Sequence, residues 1–295
     1  MKIVITAEVE ARAQDPGKAA RPGSIIRKVL LTDHAPDGLN FRLIRSQYQE
    51  GELAFESPRH HHAFQQVRWT ESGSVNYAPS QDIPEGDIAY FPRGAYYGPQ
   101  RKDRGAAFLL QYGFGNEFLG GSRDAAARAD ETREAEGAVA ALRARGTFEG
   151  GRYIDTDPAT GERRERDSVQ AIYEARTKSE FVIPAEGYAA PVLMHTRAFG
   201  YYQAAPGTEV RRLGDFYDHA GPDASLRIST VRLTSGGTWK FGPERTQIAW
   251  TTTPGLHADG TSYPELTCIY SPIDDNAHVS GDGAEMFVLE LPRLS

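Results

Sequence analysis

Cysteine is nearly absent from this chain. Cys268 stands alone among 295 residues, which excludes an internal disulfide framework and any paired-cysteine zinc site. It falls in an apolar, β-rich run, where a buried, inert thiol is expected. Long apolar runs are missing too. No segment approaches the roughly 20 residues of a membrane span. The opening Met1-Lys2-Ile3-Val4-Ile5-Thr6-Ala7-Glu8 has too short an apolar core for a signal peptide. The expectation is a cytoplasmic protein with no membrane partner. Basic charge is also in short supply. Lys and Arg total 33 against 40 Asp and Glu, a formal net charge of -7. A nucleic-acid partner would want a basic face, and no basic run with interleaved aromatics or helix-turn-helix pattern occurs.

Turn chemistry, in contrast, is plentiful. Thirty Gly and eighteen Pro fit many short strands joined by tight turns. The length allows one large or two medium domains. Two stretches carry the chemistry. The first is His60-His61-His62-Ala63-Phe64-Gln65-Gln66-Val67-Arg68-Trp69-Thr70-Glu71-Ser72-Gly73. On a strand, side chains alternate with period two, so His60 and His62 share a face, His61 opposes them, and Gln66 stays with the pair. Imidazole suits zinc, copper, iron and nickel, and two at this spacing can bite one ion. The competing reading is a polar edge strand with solvated histidines. The second stretch is Gly86-Asp87-Ile88-Ala89-Tyr90-Phe91-Pro92-Arg93-Gly94-Ala95-Tyr96-Tyr97, whose glycines and proline shape turns between short strands.

Both stretches resemble the two sequence motifs of the cupin superfamily. His60, His62, Gln66 and Gly73 stand at the spacing of the first motif. Gly86, Pro92, Gly94 and Tyr97 stand at the spacing of the second. The resemblance implies a mainly β fold of jelly-roll (double-stranded β-helix) barrels. It also implies one divalent transition metal, whether iron, manganese, nickel, copper or zinc, held by His60, His62 and Gln66. The chain departs from the pattern at two ligand positions: Gln66 replaces a carboxylate and Tyr97 replaces a third histidine. A neutral amide and a phenol of reference pKa about 10 make a weaker cage, which His61 or a residue outside the motifs would have to complete.

The chain also repeats itself. Gln66-Val67-Arg68-Trp69-Thr70 is echoed by Gln247-Ile248-Ala249-Trp250-Thr251, at an offset of about 180 residues. Pro84-Glu85 with Tyr90 and Pro92 is echoed by Pro264-Glu265 with Tyr270 and Pro272, and Ala107–Leu110 by Glu285–Leu289. The expectation is a bicupin: an amino-terminal barrel over 1–120, a helical and loop insert over 121–180, and a degenerate carboxyl-terminal barrel over 181–295. In the second barrel Phe241 and Pro243 fall where His60 and His62 stood, and neither binds metal. Phe241, Trp239 and Trp250 suggest a packed interior. His278 is a relic of the family histidine or a surface residue.

In the insert, the Ala-, Glu- and Arg-rich run from Ser122 to Arg145 reads as an exposed helix, with Ser122 and Asp124 at its start and Gly146 at its stop. Asp155 to Arg166 reads as a surface loop. Asp167 then caps a second helix to about Lys178, with Val169, Ile172 and Tyr173 facing a barrel. Near the amino terminus, Ser24–Leu31 and Phe41–Arg45 read as strands, which in bicupins often cross onto the other barrel or a neighbouring subunit.

Three functions stay open. The first is a metal-dependent cupin enzyme, a dioxygenase, decarboxylase or isomerase acting on a small organic molecule, aromatic or keto-acid in kind. Tyr97 would act there as acid or oxyanion donor. Tyr90 would line the interior, and Arg68 would bind a carboxylate or enolate if it points inward and not outward to a salt bridge. The second is a metal-free isomerase, lyase or cyclase using His60 or His62 as base and Tyr97 as acid. The third is a non-catalytic ligand-binding bicupin. A homodimer is expected from the family habit of strand exchange.

Overall fold

The computed structural model describes residues 1–13, 21–34, 38–51, 54–102, 104–114, 125–183, 185, 187–217 and 223–293, with backbone only at 34 and 125–132. These residues divide into two compact units. One contains Ala11–Arg27 and Arg45–Val192; the other contains Met1–Glu10, Lys28–Ile44 and Leu193–Ser295.

Each half of the sequence is built on a seven-stranded sheet. The inner order of one is Ile88–Phe91, Gln65–Ser72, Ala106–Phe114, Leu39–Tyr48, Ile25–His34. The inner order of the other is Thr267–Ser271, Gln247–Thr251, Ala284–Glu290, Ser225–Leu233, Thr208–Tyr217. The three echoed segments therefore occupy the same sheet positions in both halves. Their side chains repeat too. Trp69 lies opposite Phe108 with ring centroids 5.4 Å apart, and Trp250 lies opposite Phe287 at 5.3 Å. Thr70 donates to the Ile83 carbonyl at 3.0 Å, and Thr251 to the Pro264 carbonyl at 3.1 Å. A duplicated frame explains all of this at once.

The strands expected to cross, at Ser24–Leu31 and Phe41–Arg45, are Ile25–His34 and Leu39–Tyr48 of the first sheet, and a different amino-terminal strand pairs with the second. Lys2–Ile5 pairs antiparallel with Thr267–Ser271 in the unit that contains the carboxyl-terminal half. That unit holds a large apolar cluster. Phe241, Val279, Leu256, Ile269 and Met286 form one cluster, each with no exposed surface, and Trp239 packs against it. Phe241 thus fills with a ring the place where the duplication puts His60. His278 is exposed at the start of the strand His278–Gly281.

The insert differs from its sequence reading in three ways. Its first helix is Ala125–Arg143, and Ser122 and Asp124 lie outside the described residues. Gly146 opens the strand Gly146–Glu149, where a Cβ would lie 2.3 Å from the Ile154 carbonyl. Asp155–Arg166 is mostly a hairpin, not a loop: Arg152–Thr156 pairs with Arg163–Asp167. Charged side chains hide this strand from the sequence, because they pair with one another. Arg164 meets Asp155 at 2.9 Å and Asp157 at 2.8 Å, and Arg166 meets Asp155 at 3.1 Å. Asp167 caps the helix Ser168–Thr177, its Oδ1 accepting from the amides of Val169 and Gln170. Ala171, Ile172 and Ala175 pack against Leu142, Phe148 and Tyr153. The insert has this small core of its own, where a barrel-facing helix was expected.

Among the described residues, no helix is long and apolar enough to cross a membrane. Cys268 is fully buried beside Thr6, Sγ to Oγ1 3.7 Å, and burial pushes its thiol up to about 12. The thiolate is the reactive form. The native protein at pH 8 is therefore expected to leave a thiol-exchange reagent unconsumed, with one equivalent reacting after denaturation. Reaction of the native protein at the denatured rate would contradict this burial.

Candidate active site

The two motifs are stitched together by backbone. The His60 amide donates to the Tyr97 carbonyl at 2.9 Å, and the Tyr97 amide returns the bond to His60 at 3.0 Å. The Gly94 amide donates to the His62 carbonyl at 2.9 Å. Gly98 lets the chain leave Tyr97 at φ +94, where a Cβ would sit 2.8 Å from the Pro58 carbonyl. Only glycine fits such an approach.

The three histidines are not on a strand. His60 makes an isolated bridge with Tyr97, and the regular strand begins at Gln65. This corrects the simple period-two argument, yet the rings converge as expected. His60 and His62 stand 5.0 Å apart between centroids at 79°, and Tyr97 lies 4.4 Å from His60 and 5.8 Å from His62. His61 turns the other way, stacked on Tyr96 at 4.0 Å.

From Gln65 onward the alternation holds. Gln66 and Arg68 lie opposite Phe91 and Ala89 on one side, and opposite Gln111 and Leu109 on the other. Directly opposed residues share a face, so Gln66, Arg68, Phe91 and Gln111 look the same way. Gln66 donates from Nε2 to the Tyr97 hydroxyl oxygen at 2.8 Å, and its Oε1 accepts from Gln111 at 3.1 Å. Arg68 donates from Nη2 to the same Tyr97 oxygen at 3.1 Å, and its guanidinium sits 4.2 Å over the Phe91 ring. The inward reading of Arg68 is the one observed. Tyr90 is a correction: it lies opposite Val67, on the other face of the strand, with its ring 5.9 Å from Tyr188. Phe91 takes the place expected of it.

The electrostatics are one-sided. Arg68 is 4% exposed, and its Nε and Nη1 have no hydrogen-bond partner. Burial raises the Tyr97 phenol above its ordinary value, so it stays protonated. The Tyr97 oxygen already accepts from Gln66 and Arg68, which leaves its O–H to donate elsewhere. Burial first, and then the Arg21 charge, hold His60 well below the usual imidazole range. Its Nδ1 lies 2.8 Å from the Pro58 carbonyl, which can only accept. Nδ1 therefore carries the proton and Nε2 the lone pair. Behind His60, Arg21 contacts Ser57 Oγ and pairs with Asp167 at 2.8 Å. Lys102 is also buried, its Nζ 3.5 Å from the Tyr48 hydroxyl and 5.1 Å from that ring's centroid. Burial, then the charges of Arg68, Arg27 and Arg21, put its ammonium well below the usual lysine range.

A divalent ion fits half of this donor set. His60 and His62 converge, and the Pro58 carbonyl orients His60 as a ligand's outer partner would. The remaining donors do not fit. The Gln66 oxygen is engaged by Gln111, Tyr97 is held as a phenol, and the Asp167 carboxylate is taken up by Arg21. Among the described residues no three His, Cys, Asp or Glu gather as a metal-binding group. Two imidazoles close to the Arg68 guanidinium do not offset the charge of a dication. A separate open groove of about 580 Å³, lined by Glu56, Ser57, Asn76, Gln100 and Arg101, holds none of the expected site residues.

Solved structures place the fold. A putative dioxygenase from Nostoc punctiforme covers 99% of this chain and matches over 82% of its own, with TM-score 0.58 at 8% identity. An oxalate decarboxylase from Lactobacillus farciminis, in complex with formate, covers 99% and 87% with TM-score 0.51 at 14% identity. An oxalate decarboxylase studied for its substrate binding mode covers 99% and 77%, with TM-score 0.52 at 13% identity. This chain has the bicupin fold. No protein-family model and no curated protein sequence matches it.

Several residues of the candidate site carry no motif signal: Arg21, Tyr48, Phe91, Lys102, Gln111 and Asp167. Phe91 was readable from the parity of Gln66, and the others come from strands whose pairing the sequence does not reveal. Lys102 generates a test. The unfolded chain holds the lysine proton to about pH 10.4, and the folded chain releases it earlier. Between those values stability rises with pH. Lys102→Met is expected to stabilise the protein, most at acid and neutral pH and least near pH 10. Denaturant midpoints measured across this range read the effect, and a pH-independent loss of stability would contradict it.

Proposed function

We propose that the amino-terminal barrel is an enzyme site for a small organic carboxylate, keto-acid or aromatic in kind, which works by acid–base chemistry. The observation that carries this reading is Arg68: a guanidinium 4% exposed, with two nitrogens lacking a hydrogen bond and, among the described residues, no ion pair to a carboxylate. A buried cation of this kind wants an anionic ligand, and a planar fork suits a carboxylate. The Tyr97 O–H adds a donor next to it, and His60 Nε2 supplies a lone pair within the same cluster. A carboxylate on Arg68 would present its adjacent carbon to a base and an acid, as isomerases and lyases require. The oxalate decarboxylases of the same fold act, by their name, on a small carboxylate, which favours a small substrate.

A metal-dependent enzyme is the second reading. The converging His60 and His62 rings favour it, as do the Mn(II) centres named for the Bacillus subtilis oxalate decarboxylase, TM-score 0.50 at 13% identity. Untagged protein separates the two. Acid–base chemistry predicts substoichiometric iron, manganese, nickel, copper and zinc, and melting temperatures raised by pyruvate, oxaloacetate or benzoylformate in the presence of chelator. Arg68→Met should weaken that binding about 10- to 100-fold, the range of a lost charged hydrogen bond of about 1.5–3 kcal/mol. Stoichiometric metal that disappears in His60→Ala and His62→Ala, with binding abolished by chelator, would replace this reading by the metal-dependent one.

A further inference from the structure

We propose that Lys102 is a nucleophilic amine of this site, condensing with the carbonyl of a small keto acid whose carboxylate rests on Arg68. The inference rests on the carboxylate reading above and deepens it.

Lys102 lies on the short strand Gln100–Lys102, which pairs with Phe55–Ser57 in antiparallel register. Its side chain runs over two aromatic faces, 5.1 Å from the Tyr48 centroid and 5.9 Å from the Phe55 centroid. The Tyr48 hydroxyl at 3.5 Å is its hydrogen-bond partner, and among the described residues no carboxylate pairs with it. A buried ammonium without an anion is costly. Tyr48 and Phe55 belong to one apolar cluster with Ile25 and Val75, against which Leu109 packs, and Leu109 is the residue opposite Arg68 in the sheet. Amine and guanidinium thus border one interior. The charged and titratable groups that act on Lys102 are Arg68, Arg27, Arg21 and the Tyr48 phenol. All three charges are positive, and with burial they favour the free amine. A desolvated lysine beside other cations is a known way to make a nucleophile near neutrality.

The step balances without a further reagent. The Lys102 nitrogen attacks the carbonyl carbon, and the carbonyl oxygen takes a proton from Tyr48. The nitrogen then passes a proton back to Tyr48, which gives it up again as the carbinolamine hydroxyl leaves as water, so the imine forms protonated beside a Tyr48 phenolate. The protonated imine draws electrons from the neighbouring C–C bond, so a 3-keto acid would release carbon dioxide and leave an enamine. A solvent proton on the enamine carbon regenerates the protonated imine, and its hydrolysis by water restores the free amine and returns the remaining proton to Tyr48.

Reductive trapping tests the proposal. Full-length protein is incubated with acetoacetate or pyruvate and sodium borohydride at pH 7, followed by intact and peptide mass measurement. The expected result is one reduced adduct per chain, mapped to Lys102. Lys102→Arg and Lys102→Met should lose it, and Lys240→Met, at an exposed strand end, should keep it. Arg68→Met should lower labelling about tenfold or more at subsaturating keto acid. Raising the pH to 9 should speed labelling of Lys2, Lys28, Lys178 and Lys240 far more than that of Lys102. Adducts confined to those four lysines overturn the proposal. Keto-acid binding that depends on Arg68 but yields no adduct also overturns it, while leaving the carboxylate reading standing. Absence of both binding and adduct removes the two together.

Discussion

A guanidinium shut inside a protein cannot shed its proton, and the environment of Arg68 is built around that fact. Rings and dipoles take the place of the missing carboxylate. Phe91 offers its face, and Tyr97 offers its oxygen. Gln66 shares that oxygen and is itself fixed by Gln111. The arrangement satisfies one nitrogen of Arg68 and leaves two without a hydrogen bond. Gln66 and Tyr97, read as substitutes for a carboxylate and a histidine of the cupin pattern, are better understood as the pieces that hold a cation here. A carboxylate at position 66 would neutralise Arg68, and an imidazole at position 97 would offer one lone pair where two donors now meet.

The two halves show what a duplicated frame preserves and what it lets drift. Sheet order, the Trp–Phe cross-strand pair and the threonine-to-carbonyl bond recur at matching positions. All of them maintain the sheet. Among the interior residues the glutamine recurs, as Gln66 and Gln247, and the charged and imidazole groups do not. One interior carries His60, Gln66 and Arg68; the other carries Phe241 and Ala249. An apolar filling needs no partner, whereas the charged one leaves two nitrogens of Arg68 without a hydrogen bond.

Much of the frame was legible in the sequence because it depends on local signals. Glycines at turns, the spacing of two motifs and the repeat at about 180 residues revealed a bicupin, and alternation placed Gln66 and Arg68 correctly from a single strand. Alternation failed just upstream, where His60 sits in a bridge and not in a ladder. It failed again at Tyr90, because Pro92 lies beyond the end of the strand Ile88–Phe91 and lends it no parity. The hairpin at Arg152–Asp167 escaped because its strands are charged and stabilised by one another. Lys102 and Arg21 escaped for a different reason. Each matters through neighbours distant in sequence, and no local pattern encodes that a basic side chain is enclosed.

Asp167 does two jobs with one carboxylate. One oxygen holds the first turn of the helix Ser168–Thr177, and the other holds Arg21, which reaches Ser57 and lies 3.4 Å from the Nδ1 of His60. A segment inserted between two copies of an ancestral barrel has thereby become a buttress for the histidine at its heart. Evolution cannot trim that appendage as idle decoration, because the ring it steadies would lose its backing.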